Sequence, residues 1–174
     1  VPQPTPQADE VLVRVLEDAD YAADIVDLHY DMLDGARGGG GDWRASLDAK
    51  IEAFGPDIIG LSCMFNMGHG WLKRVAEHLR ESHPGIALAA GGVHPTLTAD
   101  QVLEDVPALD FVFLYEAERA LLGFMRFVNR QAGGDTLSQL ALRSDGRTLK
   151  LTRRDLPEGL VEAPDYKALP IARY

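Results

Sequence analysis

The chain has 174 residues, 46% of them hydrophobic and 25% charged, with a mean hydropathy of -0.11. That length holds one domain and little more, and the composition excludes disordered and collagen-like chains. With 17 basic against 27 acidic residues, the formal charge is -10 and the pI is near 4.8, which speaks against a nucleic-acid footprint or a polybasic membrane patch.

The longest apolar runs, Ile58 to Phe65 and Ile86 to Val93, reach about 8 residues where a membrane span needs about 20. No basic start is followed by a long apolar stretch, so no secretory signal is read. Cys63 is the single cysteine. A disulfide framework is therefore impossible, as is an all-cysteine metal or iron–sulfur site made by this chain alone, and a reducing, cytoplasmic compartment is expected.

Residues 1–7 carry three prolines and read as an extended loop. Val11, Leu12, Val15, Leu16 and Ala19 recur at helical spacing, predicting a helix over about 8–19 with Asp9 and Glu10 at its positive end. Asp24 to Leu28 reads as a short strand, and Gly38 to Gly41 as a loop. Trp43, Leu47, Ile51 and Phe54 mark a second helix, ended by Gly55-Pro56.

Asp57 to Leu61 is apolar without alternation, as in a strand buried on both faces. Trp71, Leu72, Val75, Ala76 and Leu79 form the stripe of a third helix, stopped by His83-Pro84-Gly85; His78 and His83 read as solvated. Ile86 to Ala90 is another buried strand, a short helix follows over about 99–105, and Asp110 to Leu114 is a further strand. Ala117, Ala120, Leu121, Phe124, Met125 and Val128 give an amphipathic helix over 116–131.

Ser144-Asp145-Gly146 between two short apolar segments is a hairpin signal, and 153–174 reads as a linker. Strands alternating with helices predict a parallel sheet covered on both faces. A doubly wound domain opens with a strand, whereas here a helix comes first; the sequence is expected to begin just after that strand.

In such sheets ligands bind at the carboxyl ends of the strands. The residues there are Ser62-Cys63-Met64-Phe65-Asn66-Met67, then Gly91-Gly92-Val93-His94-Pro95-Thr96, then Tyr115-Glu116. Small, hydroxylic and aromatic residues converge on one edge, which suits a large, flat, partly apolar ligand with polar substituents. A dinucleotide fingerprint is not met, since Trp43 stands where the third glycine after Gly38 belongs, and no Walker A loop occurs.

Three segments together carry a resemblance: Gly55-Pro56-Asp57-Ile58-Ile59-Gly60-Leu61-Ser62, Gly91-Gly92-Val93-His94-Pro95-Thr96 and Leu109-Asp110-Phe111-Val112-Phe113. They resemble the cobalamin-binding domain of the cobalamin-dependent radical S-adenosylmethionine enzymes. The segment Ala163-Pro164-Asp165-Tyr166 resembles that family's linker to its catalytic domain. The resemblance implies an α/β, doubly wound, flavodoxin-like (Rossmann-like) fold, with a cobalamin domain over 1–134 and a hairpin and linker over 135–174. It implies a methyltransferase or related enzyme in which S-adenosylmethionine and a 4Fe-4S cluster belong to a partner domain. The family's Cys-x-x-x-Cys-x-x-Cys motif is absent here, so radical chemistry is not expected from this chain alone.

By the same resemblance, Pro4, Thr5, Ser62, Cys63, Met64, Phe65, Asn66 and Met67 line the cofactor, with Gly91, Gly92, Val93, His94, Pro95, Thr96, Tyr115 and Glu116. Where the family commonly reads Gly-Glu-Gly-Glu, this chain has Tyr115-Glu116-Ala117-Glu118. That departure keeps a second reading open, a docking domain that has the fold without the cofactor. Asp27-Leu28-His29 begins like D-x-H-x-x-G, a cobalt-ligating motif, but Met32 replaces its glycine. No histidine ligand to cobalt is expected, and the cofactor's benzimidazole tail is expected to be displaced.

Overall fold

The computed structural model describes residues 7–28 and 42–153. Along the chain lie α1 (Gln7–Glu17), α2 (Trp43–Phe54), β1 (Ile58–Ser62), α3 (His69–Ser82), β2 (Ala87–Gly91), α4 (Val93–Leu97), α5 (Ala99–Asp105), β3 (Phe111–Phe113), α6 (Glu118–Val128), β4 (Leu140–Ser144) and β5 (Arg147–Leu151). Local chemistry sets several boundaries. Asp42 caps α2 by accepting from the Arg44 N–H at 3.1 Å, and Gly55 ends it in the left-handed region, its N–H reaching Ile51 O at 2.7 Å.

The five strands form one sheet in the order β1-β2-β3-β4-β5. The first three are parallel, as the buried apolar runs require, and β4 and β5 add an antiparallel hairpin against β3. The hairpin expected from Ser144-Asp145-Gly146 is therefore hydrogen-bonded into the sheet. The strand expected at Asp24 to Leu28 does not form. The Asp24 carboxylate accepts from Ile25 N–H at 2.8 Å, a local bond that competes with a ladder. Val26 and Leu28 still pack against the core.

Each face of the sheet buries a different helix set. Leu88, Ala90, Val112 and Leu114 meet Leu72, Val75 and Leu79 of α3 and Val102 and Leu103 of α5. On the other face Phe111 and Phe113 enclose Phe124 of α6, with ring centroids 4.7 Å and 5.7 Å away. α1 packs beside α6 on that side. There the register sets Ile58, Gly60 and Ser62 of β1 beside Ala87, Ala89 and Gly91 of β2. Large aromatic residues thus fill one half of this face, and very small residues occupy the other.

His78 and His83 are not solvated: their side chains are 12% and 14% exposed, and both Nε2 atoms lie 2.9 Å from Oδ1 of Asp48. Burial pushes the Asp48 carboxyl up, but hydrogen bonds from His83 and His78 outweigh it and hold it below its ordinary value. A carboxyl depressed in the folded state contributes stability above its unfolded pKa and loses it as pH falls through the folded one. Asp48→Asn should therefore cost about 1–2 kcal/mol at pH 7, with the deficit shrinking below pH 4 (the ordinary value is 3.8). Urea melts at the two pH values check this; an equal deficit at both would contradict it.

Candidate functional site

The carboxyl ends of β1, β2 and β3 deliver three loops to one edge, as expected for a parallel sheet. Gly92 shows why the second loop needs its glycine. Its φ is +104°, and a Cβ there would lie 2.6 Å from the carbonyl oxygen of Cys63. Cys63 donates its N–H to Gly91 O at 2.9 Å and accepts at its carbonyl from His94 N–H at 3.3 Å. Gly92 is thus the close approach that locks the first two loops together.

Residues 93–97, directly after the second strand's end, form the short helix α4. Pro95 lies in its first turn, where no helical N–H is lost. Thr96 does not cap the following helix: its Oγ1 accepts the N–H of Tyr115 at 2.9 Å and so joins the second loop to the third. Tyr115 has a φ of +60°, left-handed backbone at a non-glycine residue.

Behind this edge a cleft of about 860 Å³ runs along the open side of β1. Its floor includes Gly60, Ala89 and Gly91; Leu12, Val13 and Leu16 of α1 form one wall, and Leu121 and Met125 of α6 the other. A Cβ added at Gly60 or Gly91 would meet nothing within 4 Å. These two positions therefore leave room in the cleft that a side chain would take. Its size falls within the range of small-molecule pockets, about 300–1,000 Å³.

Of the residues singled out from sequence, Ser62, Met64, Gly91, Gly92, Val93, Thr96, Tyr115 and Glu116 line this cleft. Phe65 and Met67 stand beside it, 69% and 88% exposed, as an apolar rim rather than packing into the next helix; Asn66 is exposed between them. Cys63 and Pro95 are buried beneath the loops. Burial pushes the Cys63 thiol up, which together with its contact to Phe65 O at 3.4 Å makes it an inert packing group. Pro4, Thr5 and His29 lie outside the described residues.

His94 is turned to the protein. Its Nε2 is 3.0 Å from Nδ1 of His69, whose own Nε2 is 3.5 Å from Asp105 Oδ2. Burial, then the neighbouring His69, lowers the His94 pKa. Among the described residues no cluster of three or more His, Cys, Asp or Glu is arranged to hold a metal ion, and no helix is long and apolar enough to cross a membrane.

Two participants were missed in the sequence. Asp9 of α1 is hydrogen-bonded to the Ser62 side chain, and burial first, then the charge of Asp27, pushes its carboxyl up. Gln139, in what read as the approach to a hairpin, is 2% exposed and donates from Nε2 to Leu114 O at 3.1 Å and to Glu116 O at 2.6 Å. Neither belongs to a motif, and a lone Gln before a hairpin gives no sequence signal.

Comparison with known proteins agrees with this geometry. The chain is 32% identical over 120 residues to cytidylyl-2-hydroxyethylphosphonate methyltransferase of Streptomyces wedmorensis, covering 63% of this chain and 21% of that protein. It is 28% identical over 81 residues to anaerobic magnesium-protoporphyrin IX monomethyl ester cyclase of Rubrivivax gelatinosus, covering 47% and 14%. The chain therefore spans 21% and 14% of the length of these relatives.

Among solved structures, the radical S-adenosylmethionine methyltransferase TsrM from Kitasatospora setae, with cobalamin and a 4Fe-4S cluster bound, superposes with a TM-score of 0.70 at 16% identity, covering 87% of this chain and 28% of that one. The cobalamin-dependent S-adenosylmethionine radical enzyme OxsB, with aqua-cobalamin and S-adenosylmethionine bound, gives 0.67 at 17% identity, covering 90% and 20%. The B12 binding domain family matches residues 5–124, and the chain belongs to that family.

Proposed function

We propose that this chain is the cobalamin-carrying part of a radical S-adenosylmethionine methyltransferase or related enzyme. The observation that carries the reading is the cleft behind the carboxyl edge. Its floor at Gly60, Ala89 and Gly91 carries no side chain larger than a methyl group, its walls are apolar, and its mouth opens among the loops that bear Ser62, Thr96 and Glu116. A corrin would lie on the edge against Met64, Phe65 and Met67, while its nucleotide arm descends past Gly91 and beside Glu116. When bound, cobalamin supplies the methyl group that such enzymes transfer. This chain's residues would bind and orient it, with Ser62, Thr96 and Glu116 at the mouth of the cleft.

The catalytic domain, with S-adenosylmethionine and its iron–sulfur cluster, would be a partner to this one, since Cys63 alone cannot hold a cluster. The hairpin extends the sheet beyond β3. A cofactor-free docking domain is disfavoured by the match to the B12 binding domain family over residues 5–124.

Among the described residues the His94 and His69 rings are engaged with each other and with Asp105, so neither would be offered to the cobalt of a bound cobalamin, and the reading expects its base displaced with no histidine in its place. Electron paramagnetic resonance of the Co(II) form tests both points. Free cob(II)alamin carries nitrogen superhyperfine splitting from its own base. The splitting is expected to disappear when the chain is added in excess, and its persistence would refute a displaced base without a histidine substitute.

A further inference from the structure

The loop after β3 is built at a cost that calls for an explanation. Tyr115 sits at φ +60°, where a glycine would be relaxed and a bulky residue is strained. Such strain persists only when the surroundings over-determine it, and here they do. Thr96 Oγ1 takes the Tyr115 N–H at 2.9 Å. The buried amide of Gln139 spends its donors on the carbonyls either side of Tyr115, those of Leu114 and Glu116. The Gln139 carbonyl in turn accepts from Leu114 N–H at 2.8 Å, and Gln139 is itself left-handed, at φ +48°. What the clamp achieves is to hold a tyrosine at the mouth of the cleft, 39% exposed and lining it beside Glu116 and Ala117.

We propose that Tyr115 is a specificity-determining residue that reads the nucleotide arm of a cobamide where the arm enters the cleft, and that Gln139 is the positioning residue that holds it there. The inference rests on the cobalamin reading above. The flat, hydroxyl-bearing ring suits an arm made of a sugar, a phosphate and an aromatic base: its face packs on the apolar parts and its hydroxyl reaches a phosphate or sugar oxygen. A corrin without the arm lies on the edge and gains nothing from it. The clamp also accounts for the departure from glycine: the chain tolerates strain at Tyr115 because the ring contributes to selection.

The test uses the 174-residue chain and two probes, aquacobalamin and diaquocobinamide, which lacks the nucleotide arm. Dissociation constants come from equilibrium dialysis read by visible absorbance, with circular dichroism to confirm folding. Wild type is expected to prefer cobalamin. Tyr115→Gly, which relaxes the backbone and so keeps the loop, should lose about tenfold in cobalamin affinity and nothing for cobinamide. Gln139→Met should lose a similar factor, but none when added to the Tyr115→Gly background, because glycine needs no clamp. Should Gln139→Met fail to fold, the Tyr115→Gly comparison decides alone. Unchanged cobalamin affinity in Tyr115→Gly, or equal loss for both probes, overturns the proposal. Wild type binding both probes equally would also overturn it while leaving the cobalamin reading intact. Wild type binding neither would overturn both.

Discussion

Gly92→Ala should destabilise the fold by about 2–4 kcal/mol, with the thermal midpoint falling by roughly 5–15 °C. Two effects add. The backbone at φ +104° disfavours any side chain, and the new Cβ would sit 2.6 Å from the Cys63 carbonyl oxygen and 3.0 Å from its carbon. Those atoms are backbone, already fixed by the bonds from Cys63 N–H to Gly91 O and from His94 N–H to Cys63 O, so neither side can give way cheaply. The denaturation midpoint of Gly92→Ala beside that of wild type measures this. An unchanged midpoint would mean that the close approach of the two loops is not real. A bulky substitution at Gly92 would abolish ligand binding too, but by breaking the loop, so it says little about where the ligand lies.

Gly91→Phe should behave in the opposite way. Gly91 has no left-handed backbone and nothing within 4 Å of where its Cβ would be. A phenyl ring there grows into the cleft, so stability should change by less than about 1 kcal/mol while cobalamin affinity falls by at least about 100-fold, some 2.7 kcal/mol. Dialysis against hydroxocobalamin, with thermal melts of the same samples, separates the two effects. Retained affinity would place the cofactor elsewhere. Adjacent glycines are thus expected to have opposite signatures, because Gly92 meets backbone where a Cβ would be and Gly91 meets nothing within 4 Å.

Much of the architecture was legible because its signal is local. The unbroken apolar runs at 57–61 and 86–90 can be satisfied only by strands covered on both faces, and the stripe through Leu72, Val75 and Leu79 does face the sheet. The expectation at 24–28 failed because its composition is that of a strand, whereas no described strand pairs with it and the Ile25 N–H is donated to the Asp24 carboxylate instead. His78 and His83 looked solvated because helical spacing does not reveal that Asp48, on another helix, comes within 2.9 Å of both.

The site followed the same division. Ser62 and Gly91 could be found because they end strands, and Thr96 because it follows one closely, where a parallel sheet presents ligands. His94 lies in the same motif, yet its ring is drawn away by His69, a contact across 25 positions. Gln139 and Asp9 were invisible for a related reason: each acts through a partner distant in sequence, Gln139 on the loop of Tyr115 and Asp9 on Ser62. The departure at Tyr115 was plain in the sequence, but its meaning depends on backbone geometry, which no residue pattern conveys.

The most direct test is to incubate the purified chain with hydroxocobalamin, pass it through a gel-filtration column and record the visible spectrum of the protein peak. Cobalamin is expected to travel with the protein at about one per chain and to survive the column, as sub-micromolar binding requires, with the spectrum of a form whose benzimidazole no longer contacts cobalt. A protein peak free of corrin absorbance, with all the cobalamin eluting at its own small-molecule volume, would contradict the assignment.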